Sequence, residues 1–124
     1  MSTEAIRDWA RRNPDRLPAL LNTNPSYVFF RLLDLPPAVG PLGAMERPLT
    51  AGRSLAVDPS VVPLGAAVWI RVENMARLMV AQDTGSAIKG SRGDIFFGSG
   101  VEAGQRAGRL RHHGRAFLLL PRED

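Results

Sequence analysis

The chain has 124 residues and an apolar share of 44%, which suits one globular domain with a modest hydrophobic core. It contains no cysteine and two adjacent histidines, which excludes disulfides, thiolate metal sites and a histidine-rich metal centre. The net charge is +4, but the arginines are scattered without interleaved aromatic residues, so the pattern does not favour nucleic-acid binding. No apolar run reaches the ~20 residues of a membrane span. No signal peptide is recognisable, so the sequence taken alone predicts a cytoplasmic chain.

The N-terminal part is predicted to be helical. A first helix carries an apolar stripe around Trp9, and Pro14 ends it and begins a second short helix. The expected inner side chains of that second helix are Leu17, Leu20 and Leu21. A turn-forming cluster follows, so we divide the chain into a helical segment, residues 1–23, and a main domain, residues 24–124.

The main domain is predicted to be β-rich, because ten prolines and 12 glycines imply many turns. Six short strands are expected, at residues 27–32, 54–57, 66–72, 78–82, 94–97 and 116–120. Residues 36–48 are expected to form a long irregular loop and residues 101–107 one or two helical turns. The aromatic group Tyr27, Phe29 and Phe30 is more typical of a core than of a sugar-binding platform, whereas Trp69 is compatible with either.

The most informative stretch is residues 82–98. It holds Asp83 and Asp94, eleven positions apart, each at the end of an apolar strand-like segment and among glycines. A third acid, Asp58, lies upstream. Glycines beside an acid allow tight turns and the close approach of a substrate. Because a sheet would hold such acids rigidly at a cleft, the pattern predicts a carboxylate site on a small β-barrel.

Carboxyl groups in this arrangement are suited to cleaving glycosidic bonds. A hydrolase normally uses two, whereas a lyase-type cleavage can use one if a substrate hydroxyl performs the attack. Asp94 is the better candidate for the acid, because Ile95-Phe96-Phe97 follow it and an apolar setting disfavours the charged form of a carboxyl group. Asp83 precedes Thr84-Gly85, whose hydroxyl and amides can hold it ionised.

Other interpretations of the same residues remain open. Asp before Gly is often simple turn chemistry. A single Asp-Thr-Gly motif would make an aspartic protease only as a homodimer, and Lys89 and Arg92 do not fit beside such a dyad. These two cations can instead bind a substrate carboxylate or acetamido oxygen, or remain solvated. Asp58, which precedes a proline, is more typical of a turn or of a supporting hydrogen-bond acceptor than of an acid catalyst. The His112-His113 pair is more typical of a cap on the helix or turn before the last strand.

Taken in order, several segments resemble the C-terminal 3D domain of the membrane-bound lytic murein transglycosylase A family. The segments that carry the resemblance are residues 24–31, 40–44, 48–50, 53–58, 62–65, 83–98, 98–100 and 107–108. Their shared order makes the signal far more specific than any one tripeptide. One departure is Ser86, where the family usually has a second glycine after Asp-Thr-Gly.

The resemblance implies a six-stranded double-psi β-barrel. It also implies cleavage of the N-acetylmuramic acid–N-acetylglucosamine bond of peptidoglycan without water, leaving a 1,6-anhydromuramoyl end. Asp94 would be the general acid and then the base, Asp83 would orient or polarise the site, and Asp58 would be the third family aspartate. The expected substrate-binding residues are Asp58, Gln82, Thr84, Gly85, Lys89, Arg92, Gly93 and Phe96.

The resemblance implies glycan strands as the partner, no metal or cofactor, and the periplasmic face of the outer membrane as the location. Family members are much longer, with a signal and lipid anchor, another portion of the barrel and an inserted domain that forms the other wall of the groove. We therefore expect this chain to be a fragment with weak or no activity alone, unless it dimerises or finds a companion domain, because positioning can supply ~7–11 kcal/mol of a barrier. The alternative function is a glycan-binding module without catalysis.

Overall fold

The computed structural model describes residues 3–110 and 112–123, which form two compact units that divide between Asp34 and Leu35. The first unit contains two short helices, α1 (Thr3–Arg12) and α2 (Leu17–Leu21), with a 3-10 turn (Pro14–Arg16) between them. The second unit contains β1 (Ser54–Ala56), β2 (Ala67–Val72), β3 (Met75–Asp83), β4 (Asp94–Ile95), α3 (Val101–Arg109) and β5 (Arg115–Leu118). No helix in the described ranges is both long and apolar enough to cross a bilayer.

The first unit is held together by local contacts. The Arg16 guanidinium lies 5.8 Å from the centroid of the Trp9 ring, and Asn13 Nδ2 donates a hydrogen bond of 2.9 Å to the Trp9 carbonyl oxygen. Leu20 and Leu21 remain 39% and 64% exposed, so the prediction that they point inward is wrong. Two helices of this length do not enclose a core, since helical stability in proteins comes mainly from tertiary packing.

The strand predicted at residues 27–32 is absent: these residues are not assigned to any strand. Tyr27, Phe29 and Phe30 are 90%, 89% and 93% exposed, so the prediction that they lie in a core is also wrong. Aromatic residues favour strands because they pack on neighbouring strands, and that preference has no effect without a partner.

The second unit is built on a mixed sheet with strand order β4-β1-β3-β2-β5. The β1–β3 pair is parallel and the other pairs are antiparallel. The five remaining predicted strands and the predicted helix are all present with shifted ends, so a mainly β architecture with short helices is confirmed. The implied six-stranded closed barrel is not observed, because the sheet has five strands and is open, with β4 and β5 at its edges.

The core lies on one face of this sheet. Met79 and Ala81 of β3 are fully buried, whereas Leu78 between Met79 and Arg77 is 40% exposed, as the alternation of side chains along a strand requires. The other buried apolar members of the cluster are Leu55, Val57, Val68 and Ile95. The opposite face carries Trp69 beside Leu78 and Phe117, which are paired with it across the strands. The core therefore fixes β1, β3 and β4 relative to one another.

Candidate active site

The register of the sheet brings Asp83 and Asp94 together. Ala56 of β1 pairs with Asp83, the last residue of β3, on one side and with Asp94, the first residue of β4, on the other. Neighbouring strands lie about 4.8 Å apart, so the two Cα atoms are about 10 Å apart. The register of β1 and β3 shifts between Leu55 and Ala56, because Gln82 is skipped in the pairing. This irregularity lies directly beside the site and ends the regular pairing at Asp83.

Both aspartates line one cleft of about 280 Å³. Phe96 and Phe97 contribute apolar surface, and one wall is made of small residues of α3 and of the segment directly before it. The small residues of this wall are Gly98, Gly100, Ala103, Gly104 and Ala107. Ala103 and Gly104 lie four and three residues before Ala107, so these three residues share one face of α3.

Asp83 is half-buried and is held by a backbone amide. Its Oδ1 accepts a hydrogen bond of 3.0 Å from the Ala44 N–H, in the loop of residues 36–48. Thr84 was expected to supply this support, but the donor shown by the structure comes from a distant part of the chain. Gly43 permits the loop backbone to lie this close to the end of β3, because a Cβ at residue 43 would lie 2.5 Å from the Gln82 carbonyl oxygen. The predicted long loop thus becomes part of the site.

Asp94 is exposed, and within the described residues no hydrogen bond is made to its carboxylate. Ile95, Phe96 and Phe97 line the same cleft as Asp94, as their sequence position predicts, but they leave the Asp94 side chain exposed. Ile95 is buried in the core with 8% exposure, and the alternation of the strand directs its neighbour Asp94 to the opposite face. Asp94 is therefore the carboxylate of the pair that is free to contact a ligand.

Asp58 does not line the cleft, and its carboxylate is used inside the fold. Oδ1 accepts hydrogen bonds from the Ser60 amide (3.0 Å) and hydroxyl (2.7 Å), and Oδ2 accepts one of 2.8 Å from the Gly90 amide. The Gly90 bond, followed by the two Ser60 bonds, lowers the pKa of Asp58 from 3.8 to about 2, and Lys89 adds a smaller attraction. The expectation that Asp58 is an acceptor in a turn is confirmed.

The lowered pKa predicts how stability depends on pH. A carboxylate whose pKa is lower in the folded state stabilises the fold above its ordinary pKa, and this contribution disappears as the pH falls through the folded value. We expect the stability difference between the parent chain and Asp58→Asn to be constant above about pH 4 and to shrink between about pH 4 and about pH 2. Urea unfolding midpoints of both chains from pH 6 to pH 2 measure it, and a difference that persists unchanged at pH 2 would contradict the assignment.

The remaining predicted binding residues fall into two groups. Gln82 lies behind the site, where its Oε1 accepts a hydrogen bond of 2.5 Å from the buried Ser54 hydroxyl. Residues 84–93 form a loop, most of it exposed, that joins the two aspartates. Thr84, Gly85, Lys89, Arg92 and Gly93 belong to this loop, and none of them lines the cleft. Of the predicted substrate-binding residues, Phe96 alone shares the cleft with the two aspartates.

Some residues of the site had no clear signal in the sequence. Ala44 acts through its backbone amide, which any residue type could supply. Ser54 lines the cleft and accepts a hydrogen bond of 2.8 Å from the Thr50 amide while it donates to Gln82. The helix wall was the one detectable feature, since its small residues recur at helical spacing.

Two further predictions concern residues away from the cleft. His112 was expected to act in a cap, but its Nε2 lies 3.0 Å from Glu73 Oε1 in the β2–β3 turn. Trp69 lies on the sheet face beside Leu78 and does not line the cleft. In the part of the chain that the structure describes, no group of three His, Asp or Glu side chains is placed to hold a metal ion.

Comparison with known proteins places these features in a family. Residues 53–120 match the 3D domain family, and residues 1–31 match the MltA specific insert domain. The membrane-bound lytic murein transglycosylase A of Escherichia coli K12 is 39% identical over 132 residues, which cover 96% of this chain and 35% of that protein. The chain thus spans about a third of the length of this relative.

Solved structures agree with the sequence match. A membrane-bound lytic murein transglycosylase from Agrobacterium tumefaciens superimposes with a TM-score of 0.83 at 42% identity, covering 98% of this chain and 35% of that one. Escherichia coli MltA with bound chitohexaose gives a TM-score of 0.81 at 37% identity, covering 95% of this chain and 38% of that one. The family match over more than half of the chain and these relatives show that the chain belongs to the membrane-bound lytic murein transglycosylase A family, with a 3D domain in its second unit.

Proposed function

We propose that this chain carries the catalytic carboxylates of a peptidoglycan lytic transglycosylase. The observation that carries the proposal is that Asp83 and Asp94, which pair with opposite sides of Ala56, line one open cleft. The relatives are named as murein transglycosylases, and one of them is solved with a chitohexaose ligand. The chain spans about a third of the length of the Escherichia coli relative, so the activity of the relatives is a proposal for this chain.

Asp94 is proposed as the group that moves the proton. Its exposed carboxyl donates a proton to the oxygen that links muramoyl C1 to the next sugar, and the C1–O bond breaks as the alcohol leaves. The same carboxylate then takes the proton of the muramoyl C6 hydroxyl, whose oxygen forms the new bond to C1. The proton returns to Asp94 and no water is consumed, so the product carries a 1,6-anhydro ring. One carboxyl serves both steps because the leaving alcohol and the attacking hydroxyl belong to the same reaction centre.

Asp83 is proposed to orient or polarise the site. The Ala44 amide supports this role, because its hydrogen bond to Oδ1 holds the Asp83 side chain in place at the cleft. Phe96 gives the ring an apolar surface in the cleft. The residues proposed to bind the rest of the glycan are Gln82, Thr84, Gly85, Lys89, Arg92 and Gly93, and Lys89 and Arg92 are proposed to bind its carboxylates. Asp58, which the sequence had also suggested for binding, is held inside the fold by Ser60 and Gly90.

The finer details of fold and location are also proposals. We propose that the open sheet is part of a six-stranded double-psi β-barrel, since the half-exposed apolar face around Trp69, Leu78 and Phe117 and the two sheet edges provide surfaces on which a barrel could close. The division of the chain into a helical segment, residues 1–23, and a main domain, residues 24–124, remains a prediction. The need for a companion domain or a second copy of the chain is a prediction as well. The periplasmic side of the outer membrane is proposed from the membrane-bound relatives.

The experiment that tests the function is mass spectrometry of purified peptidoglycan incubated with the full chain. Transglycosylase action is expected to release muropeptides that are lighter than the hydrolysis products by one water. Hydrated ends would instead indicate a hydrolase and would contradict the proposed reaction.

A glycan-binding module is the second candidate, and the exposure of Asp94 in an open cleft favours it over an enclosed catalytic site. This candidate predicts that the chain sediments with insoluble peptidoglycan but releases no product. It also predicts the same sedimentation for Asp94→Asn. Sedimentation without product would therefore replace the enzyme assignment with the binding one.

A further inference from the structure

The loop of residues 84–93 connects the two aspartates, so its contacts act on the chain directly before Asp94. It leaves β3 at Asp83 and enters β4 at Asp94. Most of the loop is exposed, but Ile88 is buried to 7% exposure and its amide donates a hydrogen bond of 3.0 Å to the Gly85 carbonyl oxygen. This contact fixes the first half of the loop.

The second half is held by the carboxylate of Asp58. Gly90 adopts a φ of +66°, a conformation that L side chains rarely adopt, and its amide donates to Asp58 Oδ2 at 2.8 Å. Asp58 itself follows β1 by two residues, and β1 contains Ala56, which pairs with both site aspartates. The hydrogen bond therefore links the loop to the chain directly after β1, the strand that pairs with both aspartates.

The geometry of Asp58 argues against direct contact with a ligand. The two donors of Ser60 hold Oδ1, Gly90 holds Oδ2, and the residue is only 9% exposed. Its backbone carbonyl also accepts hydrogen bonds of 2.9 Å from the Val61 and Val62 amides, so the main chain is fixed as well. To reach the cleft, the carboxylate would have to break these contacts, which are strong because the acceptor is charged.

We propose that Asp58 is a positioning residue that ties the loop of residues 84–93 to β1 and thereby sets the place of Asp94 relative to Asp83. The effect on catalysis rests on the proposed function, whereas the hydrogen-bonded link between Asp58 and the loop does not depend on that function. It assigns Asp58 a role that differs from sugar binding. Asp58 acts on the rate of the reaction through the loop, and the affinity for glycan does not depend on it.

The test compares the full parent chain with Asp58→Asn, which keeps the size but removes the charge and one acceptor. Amide hydrogen exchange followed by mass spectrometry is expected to show roughly tenfold faster exchange in residues 86–93, with α3 and β2 unchanged. The release of anhydro-muropeptides is expected to fall roughly 10²-fold in kcat, because small misplacements of catalytic groups have effects of this size. KM is expected to stay within about twofold of the parent value.

Two further variants serve as controls. Asp34→Asn removes an exposed carboxylate outside the sheet and is expected to change neither exchange nor rate. Ser60→Ala removes one donor to Oδ1 and leaves the Gly90 bond, so it is expected to produce a smaller change in the same direction. If Asp58→Asn does not fold, Ser60→Ala decides the proposal by the same criteria.

Each outcome supports or overturns the proposal. Unchanged loop exchange overturns it, as does faster exchange with an unchanged rate. A raised KM with an unchanged kcat also overturns it, because that result would place Asp58 in contact with the sugar. If the parent releases no product, the proposed function fails, and loop exchange alone then tests whether Asp58 holds the loop. Faster exchange in Asp58→Asn supports that link, and unchanged exchange overturns it.

Discussion

The Asp94→Asn chain is expected to release anhydro-muropeptides roughly 10²- to 10⁴-fold more slowly than the parent, the range that general acid–base catalysis contributes. Asparagine keeps the size of the side chain but cannot donate a proton to the leaving oxygen or accept one from the C6 hydroxyl. Asp94 is exposed in the structure and lines the cleft, so the substitution leaves the buried core untouched. The loss should therefore appear in kcat while the fold persists.

The measurement is a time course of product release from purified peptidoglycan, with sedimentation on insoluble peptidoglycan measured in parallel. Asp34→Asn is the matched control, since it makes the same chemical change at an exposed site that does not line the cleft. Retained release by Asp94→Asn would remove Asp94 from the mechanism. In that case the Asp83→Asn chain would become the variant to examine, because Asp83 is the other carboxylate in the cleft.

Met79→Ala is expected to have the largest effect on stability, because Met79 is fully buried at the centre of the sheet. Large-to-small core substitutions of this kind cost about 2–5 kcal/mol, through lost burial and the cavity left behind. Typical domains are stable by only about 5–15 kcal/mol, so the substitution removes a large part of the total. The same residue packs in the cluster that holds β1 and β4, and the site aspartates depend on those strands.

Urea unfolding followed by far-ultraviolet circular dichroism measures this effect as a lower free energy of unfolding. Leu78→Ala is the matched control on the same strand: its side chain is 40% exposed and faces away from Met79, so less apolar surface is lost. A cost for Met79→Ala no greater than that for Leu78→Ala would contradict the placement of the core on one face of the sheet.

Local sequence patterns were sufficient for most of the second unit. Alternation of apolar residues and the turn residues at Asp58-Pro59 predicted β1, and similar patterns predicted β2, β3 and β5. The placement of Asp83 and Asp94 at strand ends follows from the same local information, because a strand ends where its apolar pattern meets glycine and polar residues. The family itself was recognisable from ordered motifs, and the comparisons confirm it.

The errors concern interactions between distant residues. The segment 27–32 has strong strand-forming residues, yet it forms no strand, because sheet propensity acts only when a neighbouring strand supplies hydrogen bonds and packing. The apolar run after Asp94 suggested enclosure, but Ile95 alternates into the core and leaves Asp94 exposed. The alternation of apolar residues along a strand shows that the strand has two different faces. Only the assembled sheet determines which of these faces is covered by other parts of the chain.

The sequence by itself determined most local elements of the second unit, the position of Asp83 and Asp94 at strand ends, and the family. The tertiary structure decided that Ala56 lies between Asp83 and Asp94, that the Ala44 amide holds Asp83, and that Asp58 binds the Gly90 amide. The physical reason is that these arrangements depend on strand register and on backbone donors. Register is set by the packing of one sheet face, and a backbone amide has the same chemistry in every residue except proline, so neither leaves a local pattern in the sequence.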